Sequence, residues 1–309
     1  MRPKLLHGDV LGDVWDQIED NSIQCVVTSP PYWGLRDYGD ENQLGLEPTP
    51  EQYAYNLVKV FRKIREKLKD DGTVWLNIGD SYHGSSGGGG GATGSDLSGK
   101  RKMSKTLNKK AEGVKPKDLV GIPWLVAFAL RDDGWYLRSD IIWAKPNPIP
   151  ESVKDRPTRA HEMIFLFTKK PDYFYDYEAA REELLADNKQ GSNKSQQAMG
   201  LDGKERKLPR RLVLSNQKGK NSRTVWFINI QPLRNAHIAV FPQEIPERCI
   251  KAGTRPGDIV LDPFSGSGTT CLVASRLGRN SVGIELNEEF LKLSEERCYG
   301  SSQSLEDFL

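Results

Sequence analysis

Five consecutive residues, Thr28-Ser29-Pro30-Pro31-Tyr32, close a compact apolar run over Ile23–Thr28 (IQCVVT) that reads as a buried strand. Two prolines in series cannot continue a central strand, so the backbone must leave the sheet there. The rigid proline pair fixes two backbone carbonyls, and Ser29 adds a hydroxyl acceptor. An exocyclic amine suits such a place, because its two hydrogens need two acceptors. Hydrogen-bonding those protons in a tetrahedral arrangement localises a lone pair otherwise conjugated into the ring and makes it nucleophilic. Tyr32 offers a flat face; stacking a base on an aromatic is worth about 1–3 kcal/mol. Extruding a nucleotide from a duplex costs a few kcal/mol, the same order. The plainer reading of the same five residues is a proline turn with a packed tyrosine.

A second run, Asp262-Pro263-Phe264-Ser265-Gly266-Ser267-Gly268-Thr269-Thr270, lies between an expected strand at 258–261 and an expected helix at 269–277. Glycines let the backbone approach a ligand, and a helix N-terminus offers free N–H donors. A P-loop would need a lysine after the last glycine, where Thr269 stands, and a dinucleotide turn would need a third glycine, where Cys271 stands. S-Adenosylmethionine remains, with a carboxylate and an ammonium in place of phosphates. Asp262 would balance the ammonium or order water around it. Glu285, 19 positions after Gly266 at the end of the strand expected at 281–284, suits a ribose hydroxyl pair.

The elements that must position these runs alternate. Strands are expected at Lys4–His7, 73–78, 137–143 and 163–168, and helices near 11–18, at 51–69 (ended by Asp71-Gly72), 119–130 and 287–298, the last capped by Asn287. That alternation predicts a parallel α/β sheet. With 37% hydrophobic residues and 29 glycines, the composition excludes a fibrous or disordered chain. No apolar run is long enough to span a membrane and no signal-peptide core opens the sequence, which predicts a cytoplasmic protein. Cys25, Cys249, Cys271 and Cys298 form no CxxC pair, so buried thiols are expected and no metal site. Charge is uneven: residues 84–117 carry +6 and 186–223 carry +7, which leaves −11 on the rest. Two basic segments on an acidic body suit arms that touch a polyanion, or else solvated linkers.

TSPPY at 28–32 together with DPFSGSGTT at 262–270 resembles the DNA amino-methyltransferases that modify cytosine N4 or adenine N6. The tetrad preceding the cofactor turn is similar to the β group of that family. The resemblance implies an α/β, Rossmann-like S-adenosylmethionine methyltransferase sheet, circularly permuted, with inserted basic recognition segments. It implies a catalytic half at 1–169 (with the glycine-rich basic insert 84–117), a target-recognition region at 170–225 and a cofactor-binding half at 226–309. Ser29, Pro30, Pro31 and Tyr32 take the catalytic places. The cofactor places fall to Asp9, Thr28, Phe241, Pro242, Asp262, Pro263, Phe264, Gly266, Ser267, Gly268, Thr269 and Glu285. Trp33, Arg36 and Tyr38 beside the pocket, and Lys204, Arg206, Lys207, Arg210 and Arg211 in the recognition region, are expected to contact DNA. His237 fits either the segment over the methionine end or the core, and Asp80 either the pocket or a cap. Serine at 29 resembles the cytosine-N4 enzymes; adenine N6, RNA or a protein amide as acceptor, and a binding module without turnover, are the alternatives. No Pro-Cys dipeptide exists for carbon-5 chemistry. Expected partners are double-stranded DNA, a companion restriction endonuclease and a second copy of the chain.

Overall fold

The computed structural model describes residues 3–35, 37–40, 42–84, 114–182, 197–199, 205–207, 219–230 and 242–306. The chain divides into two compact units, residues 1–175 with 224–309, and residues 176–223. In the larger unit, eight strands make one sheet: β1 (Lys4–His7), β2 (Ile23–Thr28), β3 (Leu68–Ile78), β4 (Tyr136–Ala144), β5 (His161–Thr168), β8 (Val225–Phe227), β9 (Ile259–Asp262) and β10 (Asn280–Glu285). Their spatial order is β1-β10-β9-β2-β3-β5-β4-β8. The smaller unit holds a two-stranded antiparallel ladder of β6 (Gln197–Met199) and β7 (Glu205–Lys207).

Among the described residues there are five helices: α1 (Pro50–Lys67), α2 (Ile122–Asp132), α3 (Glu244–Gly253), α4 (Thr269–Arg276) and α5 (Glu288–Glu306). α1 starts where Thr49 Oγ1 accepts the Gln52 N–H and Pro50 opens the first turn. Tyr53, Leu57, Val60, Phe61 and Ile64 fall on one stripe of it and are fully buried. The stripe recurs at helical spacing, so burying one face commits the whole segment. α5 is capped as expected, with Asn287 Oδ1 accepting the Glu289 and Phe290 N–H groups.

The sheet departs from the all-parallel expectation in one place. β5 runs antiparallel between β3 and β4, with Asn77 opposite Ile164 and Ile142 opposite Met163. Residues 145–160 join β4 to β5 as a hairpin connection, which needs no crossover helix. Two local expectations are also corrected. Residues 11–18 form turns and a short 3-10 segment at Val14–Gln17, pinned where Trp15 Nε1 donates to the Val10 carbonyl. Asp71-Gly72 does not end α1; the helix stops at Lys67, and the pair lies in β3 at a register irregularity against β2, where Gln24 Nε2 donates to Asp71 Oδ1. α3 and β8 are additions to the expected elements.

The order of the strands shows the permutation. β1 pairs in parallel with β10, Lys4 opposite Val282 through His7 opposite Glu285, so the first strand of the chain extends its last. β9 and β2 are neighbours, Cys25 opposite Val260. From this pair the chain winds outward both ways, toward β10 on one side and β3 on the other. Such a switch point opens a crevice at the carboxyl ends of the strands. Both chemical motifs follow directly from those ends.

Candidate active site

The cofactor-side turn is built by β9, β10 and α5. Gly266 and Gly268 hold φ of +53° and +75°. A β-carbon at Gly268 would run into Ser294 Oγ, so α5 packs directly beneath the turn. Arg297, further along α5, donates from Nη1 to the carbonyl and hydroxyl of Ser267 and to Thr269 Oγ1. The Gly266 N–H donates to Glu285 Oε2 at 2.7 Å and the Asn287 N–H to Oε1 at 2.9 Å. Glu285 is thus fixed at the crevice, and burial pushes its pKa up. Asp9 stands one strand over, after the Gly8 N–H that donates to the Glu285 carbonyl; its Oδ1 accepts the Leu11 N–H. Pro263, Ser267 and Thr269 are buried and Phe264 half-buried, while Pro242 is buried just before α3.

Asp262 is the electrostatic centre of this group. It is 1% exposed, and its Oδ1 accepts from Thr28 Oγ1 at 2.7 Å and from the Phe264 N–H at 3.1 Å. Its Oδ2 is buried and makes no hydrogen bond among the described residues. Burial pushes its pKa up to about 6, with the Thr28 and Thr270 hydroxyls and the Phe264 N–H offsetting part of that effect. A buried carboxylate oxygen without a protein partner suits a ligand ammonium. With Glu285 beside the glycine turn, the donor set fits S-adenosylmethionine.

The same Thr28–Asp262 bond joins the two motifs across 234 residues of sequence. A second bond, Thr270 Oγ1 donating to the Val27 carbonyl at 3.2 Å, ties the base of α4 to β2. Ser29 therefore opens into the crevice that the glycine turn lines. The tetrad itself is anchored from below and from the side. Tyr53 Oη donates to the Pro31 carbonyl at 2.9 Å, which occupies one of its two acceptor positions. Ser29 Oγ donates to Tyr32 Oη at 3.3 Å, and Tyr32 Oη donates to Glu162 Oε2 at 2.6 Å. The Tyr32 ring lies against Gly79, where a β-carbon would stand 2.5 Å from Cε2. Burial and the neighbouring Glu162 hold the Tyr32 phenol well above its ordinary pKa, so it stays protonated.

Three members of this cluster escaped the sequence reading. Asn77 is the last residue but one of β3, Lys145 follows β4 and Glu162 is the second residue of β5; Lys145 Nζ is ion-paired with Glu162 Oε1, and Asn77 Nδ2 donates to Glu162 Oε2 at 3.2 Å. Their signal was present as a charged residue at each inner end of two strands with apolar stretches, in AKP and HEM. Asp80 proves to be a cap, its Oδ1 accepting the Gly121 and Ile122 N–H groups at the start of α2.

The residues expected on DNA divide. Trp33 is corrected to a core residue: it is 4% exposed and its Nε1 donates to the Glu47 carbonyl, so it has no face for a base. Tyr38 is half-buried and meets Phe290 edge-on at 6.0 Å. Arg36, Lys204, Arg210, Arg211, His237 and Phe241, and the glycine-rich stretch from residue 85, lie outside the described residues. Arg206 and Lys207 fall on β7, whose side chains are likewise outside them. The basic insert leaves and returns at one place, since the His83 N–H donates to the Asp118 carbonyl and the Lys117 N–H to that of His83. That root is at the carboxyl end of β3, beside the tetrad. All four cysteines are buried and free, and burial pushes the Cys25 thiol up to about 12, which makes it a packing residue.

Comparison with known proteins agrees with this geometry. Residues 23–296 match the family described as DNA methylase, the N6/N4 methyltransferases. The chain is 47% identical over 304 residues to the Type II methyltransferase M.XycI of Xanthomonas campestris pv. cyanopsidis, covering 97% of this chain and 89% of that protein. It is 48% identical over 293 residues to M.SmaI of Serratia marcescens, with 93% and 89% covered. The fold superposes on that of the cytosine-N4-specific PvuII DNA methyltransferase with a TM-score of 0.64 at 20% identity, over 96% of this chain and 86% of that one. A permuted methyltransferase sheet, a cofactor turn bonded to a Ser-Pro-Pro-Tyr tetrad and near-full-length likeness to modification enzymes have one common account: the chain belongs to the N4/N6 amino-methyltransferases of DNA, in their β group, and is a Type II DNA methyltransferase.

Proposed function

We propose that the chain transfers the methyl group of S-adenosylmethionine to the N4 amine of a cytosine flipped out of duplex DNA, within a specific site. The observation that carries this reading is the Thr28–Asp262 bond, which sets Ser29 beside the glycine turn. S-Adenosylmethionine supplies an electrophilic sulfonium methyl when bound there. The chain's part is to orient: the Ser29 hydroxyl and the Pro30 carbonyl accept the two amine hydrogens, which holds the nitrogen lone pair toward the methyl for direct in-line attack. Transfer would form the N–C bond as the C–S bond breaks, and the extra proton would pass from the nitrogen to solvent water afterwards. Tyr32 stacks the extruded base. Serine at 29 favours cytosine over adenine on the resemblance given above. The basic segments and the Type II relatives favour duplex DNA and a companion endonuclease, and a homodimer is the proposed solution state.

Nucleoside mass spectrometry of DNA treated with the protein and labelled cofactor tests the target. N4-methylcytosine is expected; N6-methyladenine alone would overturn the cytosine assignment. Ser29→Ala is expected to bind cofactor as before and to lose methylation, whereas full activity would remove Ser29 from the acceptor role.

A further inference from the structure

Serine is an ambiguous choice for an amine acceptor. Its hydroxyl carries one proton as well as lone pairs, and rotated the wrong way it would present that proton to the amine. What lies behind Ser29 removes the ambiguity. Tyr32 Oη has two acceptor oxygens close by, Glu162 Oε2 at 2.6 Å and Asn77 Oδ1 at 3.2 Å. Glu162 as a carboxylate has no proton to give. Asn77 presents its carbonyl to Tyr32 because its amide nitrogen is used on Glu162 Oε2 and on the Met163 carbonyl, each at 3.2 Å. The single Tyr32 proton is therefore taken by one of these two acceptors, the nearer being Glu162, and the phenol oxygen is left to accept. The group placed to donate to it is Ser29 Oγ at 3.3 Å. With its proton so directed, Ser29 turns lone pairs alone toward the crevice.

We propose that Glu162, held by Lys145 and Asn77, is a positioning residue that fixes the direction of the Ser29 hydrogen bond through Tyr32 and so makes Ser29 an obligate acceptor for the substrate amine. Lys145 is part of the device because its ammonium requires an oxygen of residue 162. This rests on the reading of Ser29 as an amine acceptor. It extends that reading to residues on β3 and β5, and to Lys145 after β4, that act on Ser29 through Tyr32.

The test compares two substitutions. Glu162→Gln keeps the volume, but the Lys145 ammonium claims the amide oxygen and turns the amide N–H groups toward Tyr32. Tyr32 then accepts from residue 162 and divides its proton between Asn77 Oδ1 and Ser29, so the Ser29 proton is no longer held out of the crevice. Glu162→Asp keeps a group that only accepts. Single-turnover methyl transfer to DNA is measured beside cofactor affinity and thermal melting. Glu162→Gln is expected to slow transfer about 10–100-fold, at or below the lower end of the effect of losing a preorganised group outright because Ser29 itself remains, with cofactor affinity unchanged, and Glu162→Asp to retain most of the rate. A purely structural role predicts the reverse ranking, since the isosteric amide packs better than the shorter acid. Glu162→Gln at full rate, or Glu162→Asp as slow as Glu162→Gln, overturns the proposal. If Glu162→Gln does not fold, Tyr32→Phe keeps the ring and removes the link; it is expected to slow transfer similarly, and full activity refutes the device. Mass spectrometry of the product identifies the base independently, so a wrong target and a wrong device give different results.

Discussion

Asp262 carries two opposed duties, and Asp262→Asn separates them. Its carboxyl is raised from 3.8 to about 6 by burial. The folded chain without cofactor therefore binds more protons than the unfolded chain between those values, and stability falls as pH rises through that window. A shift of roughly two units corresponds to about 3 kcal/mol held against the fold above pH 6. The amide that replaces the acid carries no such charge and keeps an oxygen for Thr28 and the Phe264 N–H, at weaker strength. The variant should thus be more stable than the parent by about 1–3 kcal/mol near pH 8, and no more stable near pH 4. Cofactor binding moves the other way, because an ammonium seeks the ionised acid. Affinity of the parent should drop about tenfold per unit below pH 6, while that of Asp262→Asn should be weak and flat. Chemical denaturation without cofactor, and calorimetric titration of S-adenosylmethionine from about pH 5 to 8, read the two effects separately. A parent affinity that does not change over that range, or a variant that unfolds more easily near pH 8, would refute the reasoning.

Three further outcomes follow from contacts in the crevice. Gly79→Ala places a β-carbon 2.5 Å from the Tyr32 ring and should suppress methylation while leaving cofactor affinity within about twofold, at a stability cost of about 1–3 kcal/mol; unchanged turnover would show that the ring need not lie there. Trp33→Ala should cost about 3–5 kcal/mol in denaturant unfolding, with DNA affinity of the folded fraction unchanged, because the side chain is core. Arg297→Ala releases Ser267 and Thr269 and should weaken S-adenosylmethionine binding about tenfold or more by titration, as expected for lost charge-assisted hydrogen bonds.

The two motifs and the strands that carry them were legible because each is local. An apolar run before Ser29-Pro30-Pro31, and a strand, turn and helix around Gly266 and Gly268, announce themselves within ten residues. The Glu162–Lys145–Asn77 group was not legible, because it exists only once β5 inserts antiparallel between β3 and β4. Nothing near Glu162 in sequence names Tyr32 as its partner, 130 positions away. Trp33 misled for a related reason: an aromatic next to a pocket motif is as suited to closing the core as to stacking a base, and the Glu47 carbonyl that satisfies its N–H lies 14 residues on. α3 was written in its Glu244–Arg248 and Glu247–Lys251 pairs at helical spacing and in buried Ile245, Cys249 and Ile250. The short polar breaks around it hid that pattern.

Pairing the first strand with the last has a cost during synthesis. β1 leaves the ribosome long before β10, its neighbour in the sheet, and at about 5–20 residues per second the wait is on the order of tens of seconds. Until then the crevice lacks the Glu285 wall and the Asp262 turn, so on the proposed reading a nascent chain carries the tetrad without the residues that would hold the methyl donor. The Tyr299 hydroxyl then donates to the Pro3 carbonyl, fastening α5 to the residue just before β1. Joining the two motifs is thereby a late event of synthesis, because the Thr28–Asp262 bond and the β1–β10 pairing both wait for residues beyond 260.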